Sequence, residues 1–423
     1  MSLLDRRRAS LKADGSRACD TLRLAAALPA ATRTMRAPLD GLLVADFSRI
    51  LAGPLCTMLL GDAGARVIKI EEPRGDETRR WGPPFVGSES AYFLSVNRNK
   101  ESVVLDLKTA EGREVARRLV ARADVVVENF RPDDRDRFGL GAGAVHAANP
   151  RAVVCAITGF DSDGPDGGLP GYDLLAQATG GLMAVTGEPG GPPVKVGVAL
   201  SDVLTAHWAH GAILAALYAR ERTGRGDAIE ISLFGATVAS LVNVAQSYLV
   251  TRREPERYGG AHPSIVPYQR FQAADRPFVV AAATDRHFER LAREVLGRAD
   301  LADQERFATN AGRVAHRAVL LPELERALAT RPAAEWVAEC RARGIPAALV
   351  ERFDEIFARP LTERVEHSAL GEIELVRNPI RSEGGRVVRR PPPSLGEHTA
   401  AVLRELGLGP AFGELTRAPR HGT

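Results

Sequence analysis

Leu42-Leu43-Val44-Ala45-Asp46-Phe47, then Ala52-Gly53-Pro54-Leu55-Cys56-Thr57-Met58-Leu59-Leu60-Gly61, then Arg66-Val67-Ile68-Lys69-Ile70 follow one another with only short breaks. The outer two are apolar runs of strand length. The middle one places Pro54 at its start, where a helix loses nothing by lacking an N–H. The order is strand, helix, strand, and two strands joined through a helix pair in parallel. Outward from this unit the alternation continues, with strands expected at 102–107, 124–129, 152–158 and 228–233 and helices at 111–123 and 202–222. A second helix runs on to Val250. The strands are short and rich in valine and isoleucine, which fits a parallel sheet covered by helices on both faces. The fold class expected is therefore α/β.

The chain has 423 residues, 45% of them apolar and 26% charged. That is enough for two or three compact units with buried cores. The net charge of +3 is concentrated in residues 1–35, where seven basic side chains face three aspartates. The remainder is nearly neutral, so no nucleic-acid partner is expected. Four scattered cysteines, Cys19, Cys56, Cys155 and Cys340, form no paired spacing, which favours a reducing compartment and no metal cluster. No apolar run approaches the roughly 18 residues of a membrane span, and no membrane partner is expected. Residues 1–35 read as a disordered or leader extension ahead of Met35. A cytoplasmic location follows, with the mitochondrial matrix as the alternative if that extension is a transit peptide.

Between Gly159 and Gly197 the chain is rich in glycine and proline, as loops over a site are. A polar stretch at 251–267 reads as a hinge. Beyond it come a strand at 278–282 and helices near 287–296, 315–329 and 333–343, then a turn-rich return to a closing helix at 399–406. Phosphate-loop, serine-elbow and zinc-helix motifs are absent. Gly139-Leu140-Gly141-Ala142-Gly143 follows a charged turn at 131–137 rather than a strand and reads as a loop. His207 and His210 have helical spacing but no carboxylate or thiol beside them, so packing is their expected role. Asp173 and Asp202 each stand where a loop becomes a helix. Aspartate there serves as an N-cap, or, at the mouth of a cleft, as a covalent nucleophile.

Several stretches carry a resemblance: Pro38-Leu39-Asp40-Gly41, Asp46-Phe47-Ser48-Arg49-Ile50-Leu51-Ala52-Gly53-Pro54, Asn97-Arg98-Asn99-Lys100, Val127-Glu128-Asn129-Phe130 and Leu395-Gly396-Glu397-His398-Thr399. They resemble the class III (CaiB/BaiF-type) coenzyme A transferases over nearly the whole chain. Trp81-Gly82-Pro83-Pro84-Phe85 and Ser264-Ile265-Val266-Pro267-Tyr268-Gln269 are most similar to the succinyl-CoA:dicarboxylate branch, of the succinate–hydroxymethylglutarate type.

The resemblance implies an interlocked homodimer with a large Rossmann-like domain, 36–255, completed by a C-terminal return, 346–423, around a small inserted α/β domain, 256–345. It implies transfer of CoA from an acyl-CoA, with succinyl-CoA the expected donor, to a carboxylic and expectedly dicarboxylic acid, through aspartyl anhydride and aspartyl-CoA intermediates. CoA thioesters are the substrates, and no permanent cofactor is expected. Gly197-Val198-Ala199-Leu200-Ser201-Asp202 matches the family's nucleophile stretch, which makes Asp202 catalytic and Asp173 a cap or a support. Ionised Asp202 would attack, with backbone N–H groups at the start of its helix steadying the oxyanion.

By the same resemblance CoA contacts fall on Leu51, Ala52, Leu105, Lys108, Asn129, Phe130, Arg131, Arg137 and Tyr172. Lys108 and Arg137 suit phosphates. Arg49, then His262, are the candidate cations for a distal carboxylate, and Gly259-Gly260 the candidate lid. Two departures stand out. The oxalate enzymes carry glutamine at Leu51 and arginine at Glu72, and their glycine run is shortened here to Gly259-Gly260-Ala261-His262. The alternatives are an α-methylacyl-CoA racemase, which would need a histidine at Tyr172, and a non-catalytic CoA-binding protein.

Overall fold

Six short strands carry the fold: β1 (Leu43–Asp46), β2 (Arg66–Glu71), β3 (Lys100–Val104), β4 (Val125–Glu128), β5 (Val153–Thr158) and β6 (Ala228–Ser232). They lie in the order 3-2-1-4-5-6 with every neighbouring pair parallel. The computed structural model describes residues 37–381 and 388–409, so the extension expected at 1–35 lies outside the described residues. The α/β class and the parallel sheet are those expected from the sequence. This strand order reverses direction between β1 and β4, and an open parallel sheet binds its ligand in the crevice at that point, beyond the strands' carboxyl ends.

Alternation along the strands divides their side chains between two cores. Ala45, Ile68, Val126 and Val154 join one, and Val44, Val67, Val127 and Cys155 the other. Helices α1 (Ala52–Asp62), α2 (Ala110–Val120), α3 (Pro132–Phe138), α4 (Ala142–Ala148), α5 (Asp173–Thr179) and α6 (Leu200–Thr223) accompany the sheet. Along α6, Ala206, Ala209, Ile213, Ala216 and Leu217 recur at helical spacing and are buried beside Leu60 of α1. The closing helix Thr399–Glu405 brings Val402 and Leu403 into the core that holds Ala45.

Between Val266 and Ile345 a separate core gathers Phe271, Phe278, Phe288, Phe307, Leu320 and Trp336. It lies on an antiparallel sheet in which Pro277–Ala281 runs between Tyr268–Gln272 and Ala347–Leu349.

Four expectations need correction. The charged turn at 131–137 is helix α3, opened by Pro132 and closed by Gly139 at φ 71°. Its first turn is acidic and its last basic, which suits the helix dipole. Within the expected loop 139–143, Ala142 and Gly143 already begin α4. The helix expected to run to Val250 is two helices, Leu233–Ala239 and Val242–Thr251, bent by 74°. Finally β3 starts at Lys100 rather than 102, because both charged residues at its start have partners. Lys100 donates to Asp46 at 3.0 Å, and Glu101 pairs with Arg66 at 2.8 Å. The antiparallel hairpin Thr362–His367 and Gly371–Val376 was not anticipated.

Candidate active site

The turn after β1 has its backbone polar groups held by buried side chains. The Asp46 carboxylate accepts from the Ser48 N–H at 3.0 Å and from the Thr57 hydroxyl at 2.6 Å. Lys69 donates to the Ser48 carbonyl at 2.9 Å and pairs with Asp76 at 2.9 Å. Asn129, at the end of β4, grips Arg49 from both sides, accepting from its N–H at 3.0 Å and donating to its carbonyl at 2.9 Å. Burial alone would raise the carboxyl groups of Asp46 and Asp76. The neighbouring lysines outweigh it, and Asp76 falls to about 2. Burial lowers Lys100 to about 8 in spite of Asp46.

Asp202 lies in the first turn of α6, 9% exposed, in a cleft where Leu51, Ala52, Asn129, Phe130, Arg131 and Tyr172 also stand. Burial and the neighbouring Asp173 raise its carboxyl to about 7. This corrects the expectation of an ordinary ionised aspartate, since near neutrality the group is divided between its two forms. Asp173 caps α6 rather than its own helix, accepting from the Ser201 N–H at 2.9 Å and from Gln177 at 2.8 Å.

The start of α6 therefore has little left for an oxyanion. Ser201 is occupied by Asp173, and the N–H groups of Leu200 and Val203 bond Val198 and Ala199. Helix α1, whose N-cap Leu51 makes no side-chain cap, begins in the same cleft.

Arg49 and Phe130 also line an adjoining cavity of about 420 Å³, with Leu105 and Lys108 on its wall. That volume is within the range of small-molecule sites. A family model for CoA-transferase family III matches residues 39–399. The chain belongs to CoA-transferase family III.

Among its relatives, succinyl-CoA:glutarate CoA-transferase of Homo sapiens is 39% identical over 377 residues, covering 87% of this chain and 86% of the relative. Succinate–glutarate CoA-transferase of Agrobacterium fabrum is 40% identical over 383 residues, covering 87% and 96%. A CaiB/BaiF family protein from Brucella suis has a solved structure that matches at TM-score 0.78 and 42% identity, covering 88% of this chain and all of that one. The protein is thus an enzyme, a transferase that takes CoA thioesters as substrates.

In this CoA-transferase the remaining expected residues are less well placed. Arg137 lines neither cavity. It pairs with Asp134 at 2.5 Å and lies over the Phe138 ring. Arg49 is in place but engaged by Glu77 at 2.7 Å. Gly259, Gly260 and His262 stand outside the cleft of their own chain. The Gly259 N–H bonds Gly187, the Gly260 carbonyl accepts from Arg270, and His262 accepts from the Ser264 N–H while lying edge-on to Tyr268. His207, expected to pack, is exposed.

Three residues escaped the sequence reading. Arg74 is exposed on the wall of the larger cavity with no side-chain partner among the described residues, two positions after Glu72. Thr158, at the end of β5, lines the Asp202 cleft with a buried hydroxyl that has no hydrogen-bond partner among the described residues. Tyr92 is pushed up to about 12 by burial and by the charges of Asp202, Asp173 and Asp76. Its partners are distant in sequence, so no local pattern announces it.

Proposed function

We propose that this CoA-transferase moves CoA from succinyl-CoA to a second dicarboxylic acid, with Asp202 as nucleophile. The observation that carries this is the buried, cleft-facing carboxylate of Asp202, beside a second cavity that shares Arg49 and Phe130 with its cleft. The named activities of the human and Agrobacterium fabrum relatives, which join succinate and glutarate, support the acid class.

Ionised Asp202 attacks the thioester carbonyl, and the C–S bond breaks to release CoA thiolate, leaving an aspartyl–succinyl anhydride. The thiolate attacks the aspartyl carbonyl, freeing succinate and forming an aspartyl-CoA thioester. The acceptor carboxylate displaces the thiolate as a second anhydride. The thiolate then takes the acceptor acyl group and restores Asp202. Each step exchanges one activated acyl group for another, so no net oxidation or hydrolysis is involved. The uncapped start of α1 and the Thr158 hydroxyl are suited to donate to the oxyanions.

The homodimer is part of this proposal. Trp208, Tyr218, Val242, Leu249 and Val250 leave 53%, 68%, 69%, 53% and 73% of their surfaces exposed, apolar surface that a second copy would cover. The test is CoA exchange between succinyl-CoA and glutarate, run beside 2-methylacyl-CoA in deuterated water. Transfer without α-deuterium is expected. Deuterium uptake without transfer would replace this reading with racemisation.

A further inference from the structure

Ile50 has φ 73°, in the left-handed region that a β-branched residue rarely occupies. It stands between Arg49 and Leu51, at the bend that turns the chain from β1 into α1 and into the Asp202 cleft. A backbone held there needs an outside restraint. Among the described residues the Ile50 N–H donates to a carboxylate from another loop, with Asp76 oxygens at 3.2 and 3.4 Å.

Asp76 is itself fixed on every side. Lys69, fully buried, pairs with it at 2.9 Å and with its remaining reach holds the Ser48 carbonyl at 2.9 Å. The Asp76 N–H is taken by Glu71 at 2.9 Å, and Glu71 is clasped by Arg79. The bend also closes tightly on itself. A Cβ added at Gly53 would stand 2.2 Å from the Ser48 side chain, so nothing larger than glycine fits there.

We propose that Asp76, oriented by Lys69, is a positioning residue for CoA transfer: it clamps Ile50 in the left-handed conformation and so keeps Leu51 and Ala52 in place in the Asp202 cleft. The inference rests on reading that cleft as the site of transfer. Asp76 lines the adjoining cavity, where its carboxylate is engaged by Lys69 and the Ile50 N–H. It acts through the backbone of the turn, and a displacement of about 1 Å in such a wall is enough for a roughly hundredfold loss of rate.

Asp76 has a second, purely structural task, since it caps Thr78 through the backbone at 3.0 Å and the hydroxyl at 2.7 Å. The experiment separates the two tasks with glycine, which adopts positive φ without a clamp. Asp76→Ala, Ile50→Gly and the double variant are assayed with the parent's best donor from a panel of dicarboxylyl-CoA thioesters, and their folding is checked by circular dichroism. Asp76→Ala is expected to lower kcat about a hundredfold with KM for the donor moving less than about threefold. Ile50→Gly in that background is expected to return at least about tenfold of the loss.

A folded double variant no more active than Asp76→Ala overturns the proposal, because capping Thr78 and neutralising Lys69 are tasks that glycine at position 50 cannot perform. Where Asp76→Ala does not fold, Asp76→Leu, which likewise offers no acceptor to the Ile50 N–H, takes its place with the same two outcomes. The panel keeps this apart from the functional reading. A parent whose best donor is not succinyl-CoA refutes the succinyl assignment and leaves the rescue result standing.

Discussion

The two walls of the cleft treat a buried carboxylate in opposite ways. Behind the turn after β1, Asp46 at the end of β1 and Asp76 from the loop after β2 lie against Lys100 and Lys69, and the pairing holds both carboxyl groups below their ordinary range, Asp76 at about 2. On the other wall Asp202 has burial and a second aspartate for neighbours, and it rises to about 7. Removing a carboxylate from water costs several kcal/mol unless a partner replaces the lost hydration. The first wall supplies the partner and becomes a scaffold. The second withholds it, and leaves a carboxylate whose charge is disfavoured by burial and by Asp173 and which gains by forming a neutral acyl derivative. The pair of environments sorts structural from reactive aspartates better than either residue's position in the sequence.

The comparison predicts first that Asp202→Ala lowers CoA transfer by at least about a thousandfold while CoA binding and the circular dichroism spectrum are kept. Trapping with hydroxylamine after incubation with acyl-CoA should mark Asp202 alone. A labelled peptide containing Asp173 would reverse the roles of the two residues.

The second prediction concerns pH. Because burial and Asp173 raise Asp202 to about 7, kcat/KM should fall about tenfold for each pH unit below that value, since the protonated acid does not attack. Replacing Asp173 by asparagine removes a negative charge that favours the protonated form, so the Asp202 pKa falls and the acid limb should move to lower pH. A limb that stays in place would mean that burial alone sets the pKa.

The same shift bears on stability. A carboxyl whose pKa is raised by folding binds more protons folded than unfolded between about 4 and 7, so its contribution to stability is lost as pH rises through that window. Asp202→Asn should therefore raise Tm at pH 8 relative to the parent and leave it nearly unchanged at pH 4. Asp76 has the opposite sign. Its stabilising pair is complete above about 4 and is lost as pH falls toward about 2. Equal Tm changes for Asp202→Asn at both pH values would remove the strain assigned to the ionised nucleophile.

What the sequence made legible is what local pattern controls. The strands of the large sheet were visible because both their faces are apolar, and α6 because its buried residues recur at helical spacing. Helix α3 was missed although Pro132, its acidic first turn and Gly139 all mark it, since seven mostly charged residues show no apolar stripe. At the site, Asp202 was found through a family motif. Spacing alone left it level with Asp173. The capping of Ser201 by Asp173, the raised pKa of Asp202 and the unengaged hydroxyl of Thr158 all arise from contacts between distant segments. No window of sequence contains them.

The smallest expected effect concerns the cations around the larger cavity. Arg137 and Lys108 were the phosphate partners suggested by resemblance, yet the Arg137 guanidinium is occupied by Asp134 and the Phe138 face, whereas the Arg74 and Lys108 side chains on the cavity wall have no partner among the described residues. An exposed arginine meeting a phosphate contributes on the order of 1 kcal/mol. Arg74→Ala should accordingly weaken CoA binding by about three- to tenfold, and Arg137→Ala by less than about twofold. Neither should change kcat, because a contact far from the thioester is equal in the ground and transition states. Calorimetric titration of both variants with CoA makes the comparison. A larger loss from Arg137→Ala would show that the nucleotide reaches along α3, and that the cavity bounded by Glu71 to Glu77 is not where it sits.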